Sequence, residues 1–187
     1  MMESTASFTA IILAGKRPGM DPVAEAAGVA CKSFAPIGGR PMVHRVLDAL
    51  ADSRQVGRRI LCGPAESLIL QERELKARLQ SGEIKWIDSH PTPSLSTYRA
   101  LQAFPSSKPM LVTTADHAML TPQIVDFFCD EASRLSCDLA VGLTAYDAVV
   151  AKFPETRRTA IRFKDGAYSG CNLFGFLNPR SDRAAQF

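Results

Sequence analysis

The sequence has no Cys-x-x-Cys spacing among Cys31, Cys62, Cys129, Cys137 and Cys171, and its thiols are odd in number. Both a disulfide framework and a cysteine-ligated zinc site are therefore disfavoured, and reduced thiols in a cytoplasmic protein are expected. No apolar run approaches the roughly 18 residues that a membrane span needs. Residues 1–7 are polar, with no basic segment leading into an apolar one, so no signal peptide is expected. Long basic runs are missing too. Arg58-Arg59 and Arg157-Arg158 are isolated pairs, and a net charge of +3 supplies no stripe for nucleic acid. There is no internal repeat, low-complexity tract or interdomain linker; 89–96 is Pro/Ser/Thr-rich but reads as a surface loop leading into a helix. What remains is ordinary for a globular chain: 187 residues, 46% apolar and 22% charged, enough for one domain over 1–187 with a real core.

Apolar runs alternate with amphipathic stretches. Strands are expected at 8–14, 59–62, 84–87, 110–114, 139–144, 159–163 and 173–177. Between them, Met42, Val46, Leu47 and Leu50 share a helical face after Pro41, and 66–79 reads as a charged helix with Gly82 just past its end. Thr121-Pro122 reads as a cap and first helical residue before Val125, Phe128, Ala132 and Leu135. This order predicts an α/β fold of three layers, α/β/α, on a mostly parallel sheet. In such sheets ligands sit beyond the carboxyl ends of the strands.

Several familiar nucleotide motifs are absent. Gly15 and Gly19 do not make the G-x-G-x-x-G of a dinucleotide site, and no Gly-Lys-Ser/Thr opens a helix as in a P-loop. No Ser-His-Asp constellation is visible, and His44 and His90 lack zinc-ligand spacing to His117. Present instead is a buried strand, Phe8 to Ala14, running into the cationic loop Gly15-Lys16-Arg17-Pro18-Gly19-Met20. Backbone N–H groups in such a loop can close on phosphate oxygens while Lys16 and Arg17 supply the opposing charge. A second element follows, Lys32 and then Pro36-Ile37-Gly38-Gly39-Arg40-Pro41-Met42. A third aspartate-bearing segment, Met110 to Pro122, puts Asp116 just past an apolar strand, a position suited to a hard divalent cation.

Together these elements resemble the MobA-like nucleotidyltransferases, over most of the chain from Phe8 to about Leu177 and most strongly at 11–50 and 111–122. That family shows L-A-G-G-x-G-x-R-M, then K-x-L-x-P-I-x-G-x-P-M, then V-x-x-x-D-x-P-x-L-x-P. Here Lys16 replaces the second glycine and Ala118 stands where a proline is common. The resemblance implies a Rossmann-like, GT-A-type fold and transfer of a nucleoside monophosphate from an NTP to a small phosphorylated acceptor, such as a sugar phosphate or a molybdopterin-like molecule. It implies Mg2+ as cofactor, held by Asp116, with Arg17 and Lys32 on the phosphates. Leu13, Ala14, Gly15, Lys16 and Arg17 would form the nucleotide loop. Ser94 and Ser96 fall in a stretch similar to the family's G-x-x-x-S-V-x-x-A-L; they reach base or ribose, or simply cap a helix. Gly170 and Asn172, in Tyr168 to Phe174, are the expected acceptor contacts, with Asn172 also a second oxygen ligand for the metal. His117 is expected to be structural or to support the metal site from outside.

The implied partners are an NTP and a phosphorylated acceptor, with no nucleic acid and no membrane; a homo-oligomer is left open. Such families often continue with a further helix and strand on the acceptor side, whereas residues 178–187 are polar and without periodicity. Two other classes stay in view. A glycosyltransferase of the related fold would normally carry D-x-D, and Asp116-His117-Ala118 lacks the second aspartate. A nucleotide-binding regulatory domain without turnover is the other, with the altered loop as its support.

Overall fold

The computed structural model describes residues 8–15, 19 and 21–186. Lys16, Arg17, Pro18 and Met20 lie outside the described residues. The chain order is β1 (Phe8–Leu13), α1 (Pro22–Ala26), a 3-10 turn at Lys32–Phe34, β2 (Pro36–Ile37), β3 (Arg40–Pro41), α2 (Met42–Ala51), β4 (Val56–Cys62), α3 (Glu66–Gln71), α4 (Arg73–Gln80), β5 (Lys85–Ile87), α5 (Pro93–Ala103), β6 (Met110–Thr114), α6 (Pro122–Arg134), β7 (Leu139–Ala145), α7 (Tyr146–Lys152), β8 (Ile161–Phe163) and β9 (Gly166–Phe176). A 3-10 segment, Pro179–Gln186, follows.

The main sheet has the order β5-β4-β1-β6-β9-β7, with β8 paired to β9. β1 pairs in parallel with both β4 and β6, and β4 with β5. β9 is antiparallel to β6, β7 and β8, so β9 alone runs against the common direction. The mostly parallel sheet read from the β-α alternation is thus present. β1 explains its own composition. Phe8, Ala10, Ile12 and Ala14 enter a core shared with α2, α3, α4 and α6, while Ile11 faces a second core with Ala100 and Leu101 of α5, Met110, Phe176 and Ala185. A strand buried on both faces is apolar at consecutive positions rather than alternate ones, and in β1 only Thr9, 5% exposed, departs from this. Each fully buried aliphatic such as Leu47, Leu50 or Ile69 contributes about 1.5–3 kcal/mol.

Three of the differences from the sequence expectation have a visible cause. The helix expected over 66–79 is broken at Glu72, whose backbone is extended and whose carboxylate accepts from the Leu75 amide at 2.6 Å to begin α4. The same carboxylate pairs with the His44 imidazole, 1% exposed, at 3.1 Å. A buried partner on another helix, invisible to periodicity, fixes this break. The last strand starts at Gly166 rather than 173, because it continues through a bulge opposite Gly142 into the hairpin with β8. Finally, Gly38-Gly39 turn β2 into β3 before α2 starts, both at positive φ (58° and 78°), as a two-residue hairpin of the primed type requires.

Candidate active site

The carboxyl ends of the parallel strands are laced together one residue beyond the strands themselves. The Ala115 amide donates to the Leu13 carbonyl (2.9 Å), Ala14 to Cys62 (2.8 Å) and Gly63 to Ile87 (2.9 Å). Over this floor lies a cavity of about 210 Å³. Leu13, Ala14 and Gly15 from the end of β1 line it, with Asp21, which caps α1, Ala24 of α1, Lys32, Cys62 and the segment His90 to Pro93. Thr114, Ala115 and Asp116 complete its other end. The floor is tight: a Cβ on Gly15 would stand 2.9 Å from the Cβ of Ser89, and one on Gly63 would meet Ser89 Oγ at 2.9 Å and the Gly15 Cα at 3.1 Å.

Lys32 and Asp116, far apart in sequence, meet at one end of the cavity. The Lys32 ammonium donates to Asp116 Oδ2 at 2.5 Å, with both side chains partly exposed. Burial pushes the Asp116 pKa up, but the hydrogen bond and charge of Lys32, with the neighbouring Thr114 hydroxyl, outweigh it, so the carboxyl lies below its ordinary value. Asp116 is ionised at neutral pH. The loop carrying it is fixed by Arg45, whose Nε donates to the Ala118 carbonyl at 3.0 Å. That bond holds the position where the family commonly has proline.

An ionised carboxylate is the hard oxygen donor that Mg2+ takes. Among the described residues no three His, Cys, Asp or Glu groups gather into a cage. Asp116 therefore fits a cation that draws the rest of its shell from water and substrate phosphates, the usual habit of Mg2+.

Of the other expected residues, Leu13, Ala14 and Gly15 line the cavity, while Lys16 and Arg17 lie outside the described residues. Ser96 lines the cavity but is 4% exposed, and its hydroxyl bonds the His90 backbone twice. Ser94 is half-buried and does not line the cavity. Neither serine caps α5: Thr92 does, its Oγ1 accepting from the Leu95 amide at 3.1 Å. Gly170 and Asn172 sit mid-strand in β9 rather than at its start. Asn172 occupies the left-handed region (φ 53°) at the bulge and is exposed. Asparagine is among the few side chains that adopt this conformation readily.

The cavity lining also includes Cys62, His90, Pro91 and Thr92, which sequence reasoning did not single out. Cys62-Gly63 repeats the strand-then-glycine pattern of Ala14-Gly15, and that repetition was the available signal. Arg158 reaches β9, donating to Ser169 Oγ and the Gly170 carbonyl, both at 3.4 Å. His117 is held below its ordinary pKa by burial, against the pull of Asp116 and with the push of the Arg158 charge. The Arg158 charge is thus felt on the loop beside Asp116.

A three-layer α/β sheet with a cavity across its carboxyl edge, glycines at two strand ends and a Lys–Asp pair at one end defines a nucleotide-site architecture of the NTP transferase class. Residues 10–167 match the MobA-like NTP transferase domain, and the chain belongs to that family. Among solved structures, a hypothetical transferase from Thermus thermophilus is 29% identical, with a TM-score of 0.67, and covers 91% of this chain. The chain spans 65% of the length of that protein. The 4-diphosphocytidyl-2C-methyl-D-erythritol synthase of Anaerococcus prevotii DSM 20548 shares the fold at 17% identity and a TM-score of 0.66, over 99% of this chain and 76% of its own. A CMP:2-keto-3-deoxy-manno-octonic acid synthetase complexed with CTP shares it at 13% identity and a TM-score of 0.61, over 95% and 76%. No curated protein matches the sequence. Among the described residues no helix is long and apolar enough to cross a membrane.

Proposed function

We propose that this chain is a Mg2+-dependent nucleotidyltransferase that moves a nucleoside monophosphate from an NTP to a small phosphorylated acceptor and releases pyrophosphate. The observation that carries the reading is the Lys32–Asp116 pair at the cavity end where β1 and β6 finish. When bound at Asp116, with Asn172 as a second oxygen donor, Mg2+ would supply charge neutralisation on the phosphates.

The chain's own residues do the rest. Leu13, Ala14 and Gly15 offer backbone to the nucleotide, and Lys16 and Arg17 supply cations from the loop that follows. An acceptor phosphate oxygen forms a new bond to the α-phosphorus, and the bond from that phosphorus to the pyrophosphate oxygen breaks, the electron pair leaving with pyrophosphate. A phosphate monoester is already anionic, so no side chain need remove a proton. Lys32 neutralises charge as a point cation. On the acceptor side Gly170 and Asn172 contribute binding groups beside the Arg158 guanidinium, which has no carboxylate partner among the described residues. Rate acceleration comes from positioning and charge complementarity.

The test is pyrophosphate release from each of the four NTPs with Mg2+ against a panel of phosphorylated small molecules, with melting temperatures measured in parallel. The expected result is turnover with one NTP that falls about 100-fold or more in Asp116→Asn. Wild-type turnover in that variant would overturn the metal assignment. Nucleotide-dependent stabilisation without pyrophosphate release on any acceptor would favour the regulatory reading instead.

A further inference from the structure

Asp116 stands in the first of two consecutive turns. The His117 amide donates to the Thr114 carbonyl at 3.1 Å, and the Leu120 amide to the His117 carbonyl at 2.9 Å. Asp116 is thus the third residue of the first turn and Ala118 the second residue of the next. Leu120, 6% exposed, anchors the far end in the core, whereas Met119 at the tip is 74% exposed. The second position of such a turn is where proline fixes the backbone from within, through its locked φ. Alanine exerts no such restraint. Neither Ala118 nor Met119 lies at positive φ, and the Ala118 amide donates to no acceptor among the described residues, so proline there would remove no bond.

The restraint comes from outside the turn. Arg45 precedes Val46 and Leu47 of α2, both fully buried, so its backbone is mounted on the core. Its Nε donates to the Ala118 carbonyl at 3.0 Å and its Nη1 to the Ile37 carbonyl at 3.4 Å. Ile37 lies in the β2–β3 hairpin, between the Lys32 turn and α2. Ala35 ties those two together, its amide donating to the Lys32 carbonyl at 3.0 Å and its carbonyl accepting from the Met42 amide at 3.1 Å. One guanidinium therefore bonds both the segment that follows Lys32 and the segment that follows Asp116. Besides Lys32, Arg45 is the only side chain of another element that hydrogen-bonds residues 116–119 among the described residues. It does not line the cavity.

On the nucleotidyltransferase reading above, we propose that Arg45 is the positioning residue of the Asp116 loop, holding from α2 the turn that a proline at 118 would hold from within. Its bond to Ala118 sets where the Asp116 carboxylate stands, and its bond to Ile37 sets the hairpin behind Lys32. The two charges at the cavity end are thereby referred to one rigid helix.

The test takes the NTP that wild type binds best of the four and measures its dissociation constant by isothermal titration, with Mg2+ and again with EDTA. The proteins are wild type, Arg45→Met, Arg45→Lys, Ala118→Pro and Arg45→Met/Ala118→Pro, each also melted without ligand. Wild type should bind more tightly with Mg2+ than with EDTA. Arg45→Met should lose about tenfold of that gain, while its affinity in EDTA changes less than about twofold. Arg45→Lys keeps the charge but not the planar fork, and should lose the gain as Arg45→Met does. Adding Ala118→Pro to Arg45→Met should recover about threefold, the scale on which a compatible proline restrains a loop. An intact gain in Arg45→Met or Arg45→Lys would overturn the positioning role. So would equal weakening with and without Mg2+ beside a lowered melting temperature, the mark of a merely structural residue. No recovery in a double variant that melts no lower than Arg45→Met would overturn the turn mechanism. A wild type that binds NTP with no Mg2+ gain would overturn this inference together with the metal assignment, and one that binds no NTP would overturn the transferase reading as well.

Discussion

Gly15 has two possible reasons to be glycine, and the structure separates them. One is close approach of backbone to phosphate. The other is the junction at which Gly15, Gly63 and Ser89 meet. A Cβ at Gly15 would stand 2.9 Å from Ser89 Cβ and 3.0 Å from its Oγ, and Gly15 does not occupy the left-handed region. Comfortable carbon–carbon contact begins near about 3.5 Å, so Gly15→Ala overpacks without adding backbone strain, at a cost of about 1–3 kcal/mol. Ser89→Gly deletes both clashing atoms. In a double-mutant cycle the pair should therefore be more stable than the sum of the single changes by about 1–3 kcal/mol. Urea denaturation followed by Trp86 fluorescence reads this directly. NTP affinity, measured on the same four proteins, reads the other reason. If the junction alone matters, Ser89→Gly restores both stability and binding to Gly15→Ala; if phosphate approach matters too, stability returns and binding does not. Additive destabilisation in the cycle would refute the junction.

Two further outcomes follow from the charges and thiols. The Arg40 hydrogen bond, working against burial and with help from Arg78, holds the Glu74 carboxyl at about 2, against an ordinary 4.5. The unfolded chain takes up this proton first, so the stabilisation is present above about pH 4.5 and disappears as pH falls toward about 2. Because the Glu74 side chain is 39% exposed, Glu74→Gln should cost only about 1 kcal/mol at pH 7 by chemical denaturation. That difference should shrink below about pH 4; a difference constant with pH would contradict the linkage. Burial pushes the Cys62 thiol up to about 11 and the Cys129 thiol to about 12. Iodoacetamide at pH 8 should leave both unmodified in the folded protein by peptide mass spectrometry, whereas labelling at the unfolded rate would show that the sheet edge is open.

Much of the fold was legible because its signals are local. Phe8 to Leu13 is apolar at every position but Thr9 since both of its faces are covered, and Thr121 and Pro122 begin α6 as their chemistry dictates. The Lys32–Asp116 meeting was legible only through resemblance, since neither residue is distinctive by itself. What stayed hidden depends on distant partners. Glu72 breaks a helix because of His44, the Ser96 hydroxyl is held by the His90 backbone, and Asn172 lies inside a strand because of a bulge facing Gly142. Cap identity was hidden for a subtler reason. Thr92, Ser94 and Ser96 are all competent caps, and only the backbone path chooses Thr92.

The central position of β1 has a consequence for how the chain is made. Its two neighbours are β4, ending at Cys62, and β6, ending at Thr114. A nascent chain released as far as α2 holds the most apolar strand of the sheet with neither edge covered. The first edge closes when β4 emerges and the second only when β6 does. Each closure pays the entropy of a long loop before any ladder bond repays it. Through most of synthesis, the strand at the centre of the sheet is thus an open edge in need of protection from its neighbours on other chains.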